Sequence, residues 1–485
     1  MHIIADLQLH SKYARAVSKE MTIPNIALWA KRKGIGLVAT GDWTHPLWMR
    51  EIKANLEEVG NGLLQLKHAE FPSKNFDPDF SFPREKSPSD IGSMGRSQSE
   101  SGQNFSWSPR AELDPLFLLA TEVSCIYSQN GKVRRVHTLI WVPSLASADK
   151  ISKEMTRQGC NLMSDGRPIV GLTSIQVAEL VFTIEPKALI IPAHAWTPWF
   201  SVYGSLGGFD SLEEAFGPFA KNIYAIETGL SSNPAMNWRI KELDHRSIVS
   251  FSDAHSGPKL GREATVFDVP ELNYEHIYHA IKGDAQNSKI AYTIEFYPEE
   301  GKYHYTGHRA CNIRLTPEET KKKGVMCPVC GKPLTQGVMQ RVEELAGRSE
   351  ADLSIVTVEV QISNGNKVQM IGSKAFPKRP PFVMLVPLVE IIAEAVGSPV
   401  ASTRVQPVYQ KLTDQFDEFS LLLSIPISDI ASIAGERIAQ GIEKVRKGDI
   451  LIDPGYDGVF GVVKIWKEGE EKPLLDASKE QLTMF

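Results

Sequence analysis

Seven short runs of β-prone residues recur along the first half of the chain, and nearly every run ends in Asp, Glu or His. The runs span residues 3–11, 36–42, 117–124, 135–142, 188–194, 224–229 and 248–256, and most are separated by helix-length spacers. Alternating strands and helices predict a parallel sheet, and in a closed β/α barrel the carboxyl ends of the strands meet on one face. The sequence therefore predicts an α/β barrel with one polar bowl.

The strand ends supply side chains that commonly bind metals. A single His is more often a hydrogen-bonded structural residue, and a single Asp after a strand is often a helix N-cap. As a set, their nitrogen and oxygen atoms suit Zn, Mn or Fe at a hydrolytic site, where two or three ions about 3.5–4 Å apart clamp a phosphate and lower the pKa of a bridging water. The predicted ligands are His10, Asp42, Glu122, His137, His194, Asp253 and His255.

Glu227 is a further candidate ligand, although it could also support a ligating His or cap the loop that follows it. Among the strand-end residues we expect Asp42, Glu122, His194 and Asp253 to act in catalysis. The expected cofactors are Zn in the barrel and Mg or Mn for the catalytic step.

The five cysteines divide into two isolated residues and one cluster. The pattern His308-x-x-Cys311, followed by Cys327-x-x-Cys330, supplies four soft ligands in two pairs and predicts a closed, structural Zn site. His304 is an alternative to His308 as the fourth ligand. An odd cysteine count with a CxxC pair favours metal over disulfides in a cytosolic chain.

Aromatic and basic residues suggest contacts with nucleic acid. Trp196 and Trp199 follow His194 directly, and with Trp238 they could form a platform for an unstacked base or a hydrophobic clasp over the barrel mouth. Further candidates are Arg239 and Arg262 for phosphate or structural contacts, and Lys374, Lys378 and Arg379 for contacts with a DNA backbone.

Composition divides the chain into segments. We expect a barrel at 1–300 with a flexible insertion at 72–110, a zinc finger at 301–350, a mainly helical DNA-binding region at 351–466 and a flexible tail at 467–485. The tail ends in Gln481, Leu482, Met484 and Phe485, which either fray or dock into a hydrophobic groove.

The bulk composition limits the possible partners and compartments. No apolar run of about 18 residues and no basic leader is present, so we expect a cytoplasmic protein without membrane spans. The net charge of -5 means that any DNA-binding face must be local.

These motifs resemble the PHP (polymerase and histidinol phosphatase) superfamily, and the full set is similar to the endonuclease Q family. The matching stretches are 9–18, 39–42, 121–122, 192–199, 227–232, 236–239, 252–256, 261–264, 327–334 and 453–458. The resemblance implies a distorted seven-stranded barrel with two or three metals, a zinc finger and a helical C-terminal region. It also implies a DNA repair enzyme that incises 5′ of a deaminated base such as hypoxanthine or uracil, and at abasic sites, and a tail that binds the sliding clamp.

One position departs from the family pattern. The first motif of the family is His-x-His, and Gln8 replaces its first His here. Because Gln is a poor Zn ligand, one metal is expected to bind more weakly, to be coordinated differently or to be absent. Two alternatives stay open: a phosphoesterase of the same superfamily that acts on a small phosphate ester, and a non-catalytic DNA-binding scaffold that has lost a metal through Gln8.

Overall fold

A computed structural model describes residues 1–67, 114–362, 367–467 and 469. The insertion expected at 72–110 and the tail residues Gln481, Leu482, Met484 and Phe485 lie outside these described residues. No helix in the described ranges is long and apolar enough to cross a membrane.

The first 300 residues contain the barrel and the strands and helices attached to it. In chain order these are β1 (His2–Asp6), α1 (Ile23–Lys33), β2 (Leu37–Ala39), α2 (Pro46–Asn55), β3 (Leu56–Glu58), β4 (Leu64–Leu66), β5 (Leu116–Gln129), β6 (Lys132–Val142), α3 (Leu145–Arg157), β7 (Ile169–Val170), α4 (Ser174–Ile184), β8 (Leu189–Pro192), α5 (Leu212–Phe216), β9 (Ala225–Glu227), α6 (Pro234–Trp238), β10 (Ser247–Val249), β11 (Ala264–Asp268), α7 (Tyr274–Lys282) and β12 (Lys289–Glu295).

Seven of these strands surround one core. Strands β1, β2 and β5 are parallel neighbours, β6 joins β5 to β8, and β9 pairs in parallel with β10. The Ala195 N–H donates to the Glu227 carbonyl at 2.9 Å, and the His10 N–H donates to the Ala254 carbonyl at 3.0 Å. These bonds connect β8 to β9 and the segment after β10 to the segment after β1. Each predicted run supplies one strand, and the predicted fold class is confirmed.

Strand β6 corrects the expectation of a wholly parallel barrel. It runs antiparallel to β5 and to β8, because Asn130 and Gly131 both adopt positive φ angles, of 52° and 73°, in a tight turn between β5 and β6. As a result Glu122 and His137 lie within long strands rather than at strand ends.

Helix α1 shows how local sequence sets the barrel boundary. Pro24 lies in its first turn, where a missing N–H costs little. Gly34 ends the helix with φ 85°, and its N–H bonds to the Ala30 and Lys31 carbonyls. The chain then enters β2, which carries Asp42 to the barrel mouth.

The remainder of the chain adds a small finger and a second, partly helical layer. Its elements are β13 (Thr306–His308), β14 (Ile313–Leu315), α8 (Pro317–Lys323), α9 (Val338–Leu345), β15 (Ile355–Gln361), β16 (Lys367–Ser373), β17 (Phe382–Met384), α10 (Leu388–Val396), α11 (Gln406–Thr413), α12 (Glu418–Leu423), α13 (Ile427–Ala434), α14 (Glu436–Lys447), β18 (Leu451–Asp453) and β19 (Val462–Lys464).

The strands β15–β17 extend the sheet of the barrel, which the sequence did not indicate. Strand β17 pairs in parallel with β12, and β12 pairs with β11 beside β1. The helices pack on the outside through a buried ion pair, in which Lys33 Nζ lies 2.7 Å from a Glu418 oxygen that also accepts the Tyr409 hydroxyl at 2.7 Å. The C-terminal region is therefore joined to the barrel by backbone pairing and by charge.

Candidate metal centre

Two groups of metal-binding side chains face each other at the barrel mouth. Within each group the potential ligand atoms lie within 4.8 Å of one another. One group comes from the segments after β1 and β10, and the other from β5, β6 and the end of β8. The groups are His10, Asp253 and His255, and Glu122, His137 and His194.

Glu122 connects the two groups. One of its oxygens lies 3.2 Å from His10 Nε2, and the other lies 2.5 Å from His137 Nδ1 and 3.5 Å from His194 Nε2. His10 Nε2 also lies 3.2 Å from an Asp253 oxygen. A single buried carboxylate can therefore bridge two adjacent cation positions.

The donor set fits divalent cations. Burial lowers the pKa of His137 to about 4, so its imidazole is neutral and able to coordinate near neutral pH. His137 Nδ1 and His194 Nε2 lie 3.1 Å apart and both face Glu122. Burial opposes protonation of His10, but Asp42, Asp253 and Glu122 outweigh that effect and raise the pKa of His10 well above its usual range. A cation would supply the positive charge that these carboxylates otherwise draw from a proton.

Gln8 takes part in the site despite departing from the family motif. Its Nε2 donates to Glu122 at 2.8 Å, while its buried Oε1 has no hydrogen-bond partner. A buried carbonyl oxygen without a donor is costly, and an amide oxygen is an acceptable ligand for a hard cation such as Mg²⁺ or Mn²⁺. The residue therefore fits the site as an oxygen donor and not as a Zn-type nitrogen ligand.

Asp42 and Glu227 lie behind the ligand groups. Asp42 lies 2.9 Å from His10 Nδ1 and accepts the Ser11 N–H at 2.6 Å, so both of its oxygens already have partners. Glu227 accepts the His194 N–H at 2.6 Å, and its other oxygen is buried without a partner. The geometry gives Asp42 the position of a residue that orients His10, and leaves one Glu227 oxygen available.

Three residues of the site have strained backbones. Asp42, His194 and Asp253 have φ angles of 43°, 31° and 46°, a region that residues other than glycine rarely adopt. Gly229 packs so closely on His194 that an added Cβ would lie 2.2 Å from the His194 Cβ. Such strain persists where the surrounding structure fixes it, as it commonly does at functional sites.

Two residues that the sequence did not single out support the site. Asp6, fully buried, accepts the Ser252 N–H at 3.0 Å, the Ser252 hydroxyl at 2.5 Å and the Gly261 N–H at 2.8 Å, which fixes the segment before Asp253. Burial raises the pKa of Asp6 to about 6. Arg167 Nη1 lies 3.4 Å from Glu122. The position of Asp6, two residues before the first motif, is a signal that could have identified it. Arg167 follows no strand, so the sequence carries no such signal for it.

The finger ligands form one group. His308, Cys311, Cys327 and Cys330 lie together, and His308 Nδ1 is 3.3 Å from Cys330 Sγ. Burial opposes ionisation of Cys327, but the backbone N–H of Cys330, the His308 side chain and the backbone N–H of Val329 lower its pKa to about 6. His304 is not part of this group; it is buried, and burial lowers its pKa to about 4.

The candidate base-contacting aromatics differ in exposure. Trp196 and Trp238 are each 1% exposed; Trp196 donates to Asn237 at 2.7 Å and Trp238 packs on Phe382. Neither ring offers a free face, which corrects the expectation of a three-ring platform. Trp199 is half-buried and meets Tyr303 of the finger region with a ring centroid distance of 5.0 Å.

The candidate basic residues also divide. Arg239 is 3% exposed and pairs with Glu343, and Arg379 donates to the carbonyls of Arg246 and Leu243, so both hold internal contacts. Arg262 is half-buried and donates to the Ser252 carbonyl at 3.1 Å. Lys374 and Lys378 are exposed.

Together, the barrel, the ligand groups and the finger define a PHP-type protein with a Cys₃His site. Along nearly its whole length the fold is similar to two solved structures. The lesion-specific endonuclease PfuEndoQ from Pyrococcus furiosus is 30% identical with a TM-score of 0.73, over 99% of this chain and 98% of that one. An endonuclease Q bound to a 27-mer duplex with an abasic lesion at its active site is also 30% identical, with a TM-score of 0.73, over 98% of this chain and 100% of that one. The chain belongs to the endonuclease Q family.

The chain also matches a family model and two sequence relatives. Residues 387–449 match the family model described as the MJ0043 C-terminal domain. The uncharacterized protein MJ0043 of Methanocaldococcus jannaschii is 32% identical over 279 residues, which is 56% of this chain and 31% of that protein. The uncharacterized protein YqxK of Bacillus subtilis is 28% identical over 336 residues, covering 68% of this chain and 74% of that protein. The chain thus spans under a third of the length of the archaeal relative.

Replacing Asp42 with Asn tests whether this residue orients His10 or binds metal itself. We expect metal affinity to fall about 10- to 100-fold while the number of ions bound at saturation is unchanged, because a supporting group tunes its ligand without replacing it. Calorimetric metal titration gives both quantities, and Asp149→Asn, at an exposed surface ion pair with Lys53, is the control. Loss of an ion at saturating metal would show that Asp42 is a direct ligand.

Replacing His308 or His304 with Ala identifies the fourth finger ligand. The His308→Ala protein is expected to retain about one Zn fewer per chain, since a three-ligand site holds zinc weakly. The His304→Ala protein is expected to keep its Zn but to unfold at a lower temperature, because a buried side chain is removed. Elemental analysis and thermal unfolding measure the two effects, and Zn loss from the His304 variant alone would reverse the assignment.

Proposed function

We propose that the protein is a metal-dependent DNA repair endonuclease that incises the phosphodiester on the 5′ side of deaminated bases, hypoxanthine and uracil, and at abasic sites. The observation that carries this proposal is the match over 99% of the chain to a lesion-specific endonuclease. The two ligand groups at the barrel mouth support it, because clustered and buried carboxylates and imidazoles are what a metal-dependent nuclease needs.

The proposed ligands are the two groups around Glu122, with the free oxygens of Gln8 and Glu227 as additional donors. Divalent ions bound there, Zn with Mg or Mn for the catalytic step, would polarise the phosphate and make water a better nucleophile at neutral pH. The chain's own residues fix the geometry: Asp42 orients His10, Glu227 holds the backbone of His194, and Asp6 holds the segment that carries Asp253. The finger is proposed to hold a structural Zn.

A cavity beside the aromatic loop is our proposed pocket for the extruded base. It has a volume of about 670 Å³ and is walled by the β5–β6 turn, the loop 204–210 and two residues of the finger region, Gln336 and Arg341. The same loop follows β6 towards the metal ligands: the His137 N–H donates to the Phe200 carbonyl at 3.0 Å, and the Arg135 N–H donates to the Gly207 carbonyl at 3.1 Å. The loop therefore joins a wall of the cavity to the strand that carries His137.

Two donor-bearing residues that line this cavity suit a deaminated base. Arg134 Nε and Gln336 Nε2 belong to residues that line it, and both are buried donors without a partner. Deamination replaces an exocyclic amino group, which donates, by a carbonyl, which accepts. A donor of either side chain that turned towards the base would pair with a carbonyl and not with an amino group. Since an unpaired buried donor costs about 1–3 kcal/mol, a carbonyl would be favoured.

We propose the remaining DNA contacts from the solvent exposure of the candidate side chains. Trp199, Arg262, Lys374 and Lys378 keep surface that a DNA strand can reach, whereas Trp196, Trp238, Arg239 and Arg379 act by holding the frame. We further propose that the terminal residues Gln481, Leu482, Met484 and Phe485 bind the sliding clamp, on the basis of their sequence pattern alone.

The decisive experiment is incision of a duplex with one deoxyinosine, assayed with Mn²⁺ or Mg²⁺. We expect a single cut on the 5′ side of the lesion, removal of activity by EDTA, and at least about a 1,000-fold loss in a Glu122→Gln variant, because the bridging carboxylate is lost. Undamaged duplex of the same sequence is the control. Absence of incision together with hydrolysis of small phosphate esters would favour a phosphoesterase, and absence of both would favour a scaffold.

Filling the cavity separates base recognition from chemistry. A Ser205→Phe variant is expected to incise the deoxyinosine duplex about 10-fold more slowly, since the bulky ring displaces the base, while an abasic-site duplex is cut at nearly the wild-type rate because no base must enter. Single-turnover rates on the two duplexes measure the contrast, with Ser205→Ala as the control. Equal slowing on both duplexes would place the base elsewhere.

A further inference from the structure

Arg167 occupies the opening between the two ligand groups. Its Nη1 lies 3.4 Å from a Glu122 oxygen and 3.5 Å from His10 Nε2. The side chain is 27% exposed, so the guanidinium contacts the buried cluster on one side and solvent on the other. It thus lies where an incoming strand would meet the ligands.

The segment that carries Arg167 is fixed at several points. The Gly166 N–H donates to the Tyr13 carbonyl at 3.1 Å, the Arg167 N–H donates to Asp165 at 3.1 Å, and the Ser124 N–H donates to the Pro168 carbonyl at 3.0 Å. Gly166 passes so close to Asp42 that an added Cβ would lie 2.3 Å from the carboxylate. The guanidinium is therefore positioned by the same framework that positions the ligands.

Electrostatic repulsion limits the possible roles of Arg167 once cations are bound. Glu122 is the counter-ion of Arg167, but the same carboxylate also lies beside His10 and His137, which belong to the two groups that would hold cations. A guanidinium beside divalent cations is repelled unless an anion lies between them. A phosphate supplies that anion, and its oxygens match the planar, forked donors of arginine.

Two other arginines in this part of the barrel have guanidinium contacts within the protein. Arg262 donates to the Ser252 carbonyl, and Arg134 lies over the Phe209 ring with a distance of 4.0 Å to the centroid. Among the residues that the structure describes, Arg167 is the arginine that forms an ion pair with a carboxylate of either ligand group.

We propose that Arg167 is a catalytic residue that binds a non-bridging oxygen of the scissile phosphate and stabilises its charge during strand cleavage. This inference rests on the proposed endonuclease function and names a substrate contact within that site. The assignment predicts a loss of binding that depends on the charge of one phosphate, which a purely structural role for Arg167 would not produce.

The test compares two duplexes that differ at one phosphate. Both contain deoxyinosine, and one carries a neutral methylphosphonate at the expected incision position. Binding is measured by fluorescence anisotropy with Ca²⁺ in place of the catalytic metal. For Arg167→Gln we expect about 10- to 100-fold weaker binding of the phosphodiester duplex and unchanged binding of the methylphosphonate duplex, because only the charged phosphate needs the guanidinium.

Kinetics and metal content complete the test. With Mn²⁺, kcat/KM on the phosphodiester duplex is expected to fall at least 10-fold in Arg167→Gln and to recover partly in Arg167→Lys, which restores the charge without the fork. Arg157→Gln is the matched control, since Arg157 is 73% exposed on α3 and the charge change is the same. Metal content by elemental analysis should equal that of the wild type.

Three results would overturn the proposal: equal losses on both duplexes, wild-type binding and incision by Arg167→Gln, or reduced metal content in that variant. The last would mean that Arg167 maintains the ligand groups and does not contact the phosphate. If the wild-type protein fails to incise any lesion duplex, the endonuclease function fails, while the comparison of the two duplexes still reports whether Arg167 contacts the phosphate.

Discussion

The structure of the site depends on keeping the Glu122 carboxylate ionised inside the protein. This side chain is 2% exposed, and an ionised carboxylate in such a place is expensive unless opposite charges and donors surround it. Burial alone would raise its pKa, but Arg167, His137 and His10 lower it well below the usual range. Strands β5, β6 and the segment after β1 must therefore converge on one point, which explains why the barrel mouth is so tightly fixed.

Three supporting carboxyl groups fix the geometry of the site at other positions. Asp6, Asp42 and Glu227 are all fully buried, and each accepts backbone N–H groups that fix the direction of a neighbouring ligand or its segment. Strained φ angles at Asp42, His194 and Asp253 are the local cost of turning side chains towards a common centre. The hydrogen bonds and the close glycine contacts hold these conformations in place.

Sequence reasoning succeeded where a pattern reports a local rule. Strand runs followed by His, Asp or Glu predicted the seven strands and named the six residues that the structure brings together in two groups. The spacing of His308 and three cysteines predicted the group at the finger, because strand period and ligand spacing are visible in one dimension. The role of these residues as metal ligands stays a prediction. Sequence reasoning missed the reversal of β6, although Asn130-Gly131 is a strong hairpin signal. The motif suggested that Asp42 is a metal ligand, but a motif cannot distinguish a residue that binds the metal from one that hydrogen-bonds to a ligand.

What sequence could not supply are properties of three-dimensional packing. Trp196 and Trp199 are three residues apart, yet one is in the core and the other is half-buried. Arg379 resembles a DNA contact in a basic stretch, but its donors are taken by carbonyls of the barrel. Arg167 reaches the ligands from a loop that carries no periodic signal, so only the folded chain brings it to Glu122.

The pairing of β17 with β12 has a practical consequence for anyone dividing this protein into parts. A fragment that ends near residue 350, where composition changes, would leave the backbone groups of β12 unpaired along a sheet edge. Exposed edges of this kind invite other chains to add to them, so such a fragment would be prone to aggregate during expression. A soluble catalytic fragment would have to continue at least through Met384, which means that the polypeptide after the finger completes the sheet attached to the barrel before it forms the helical layer.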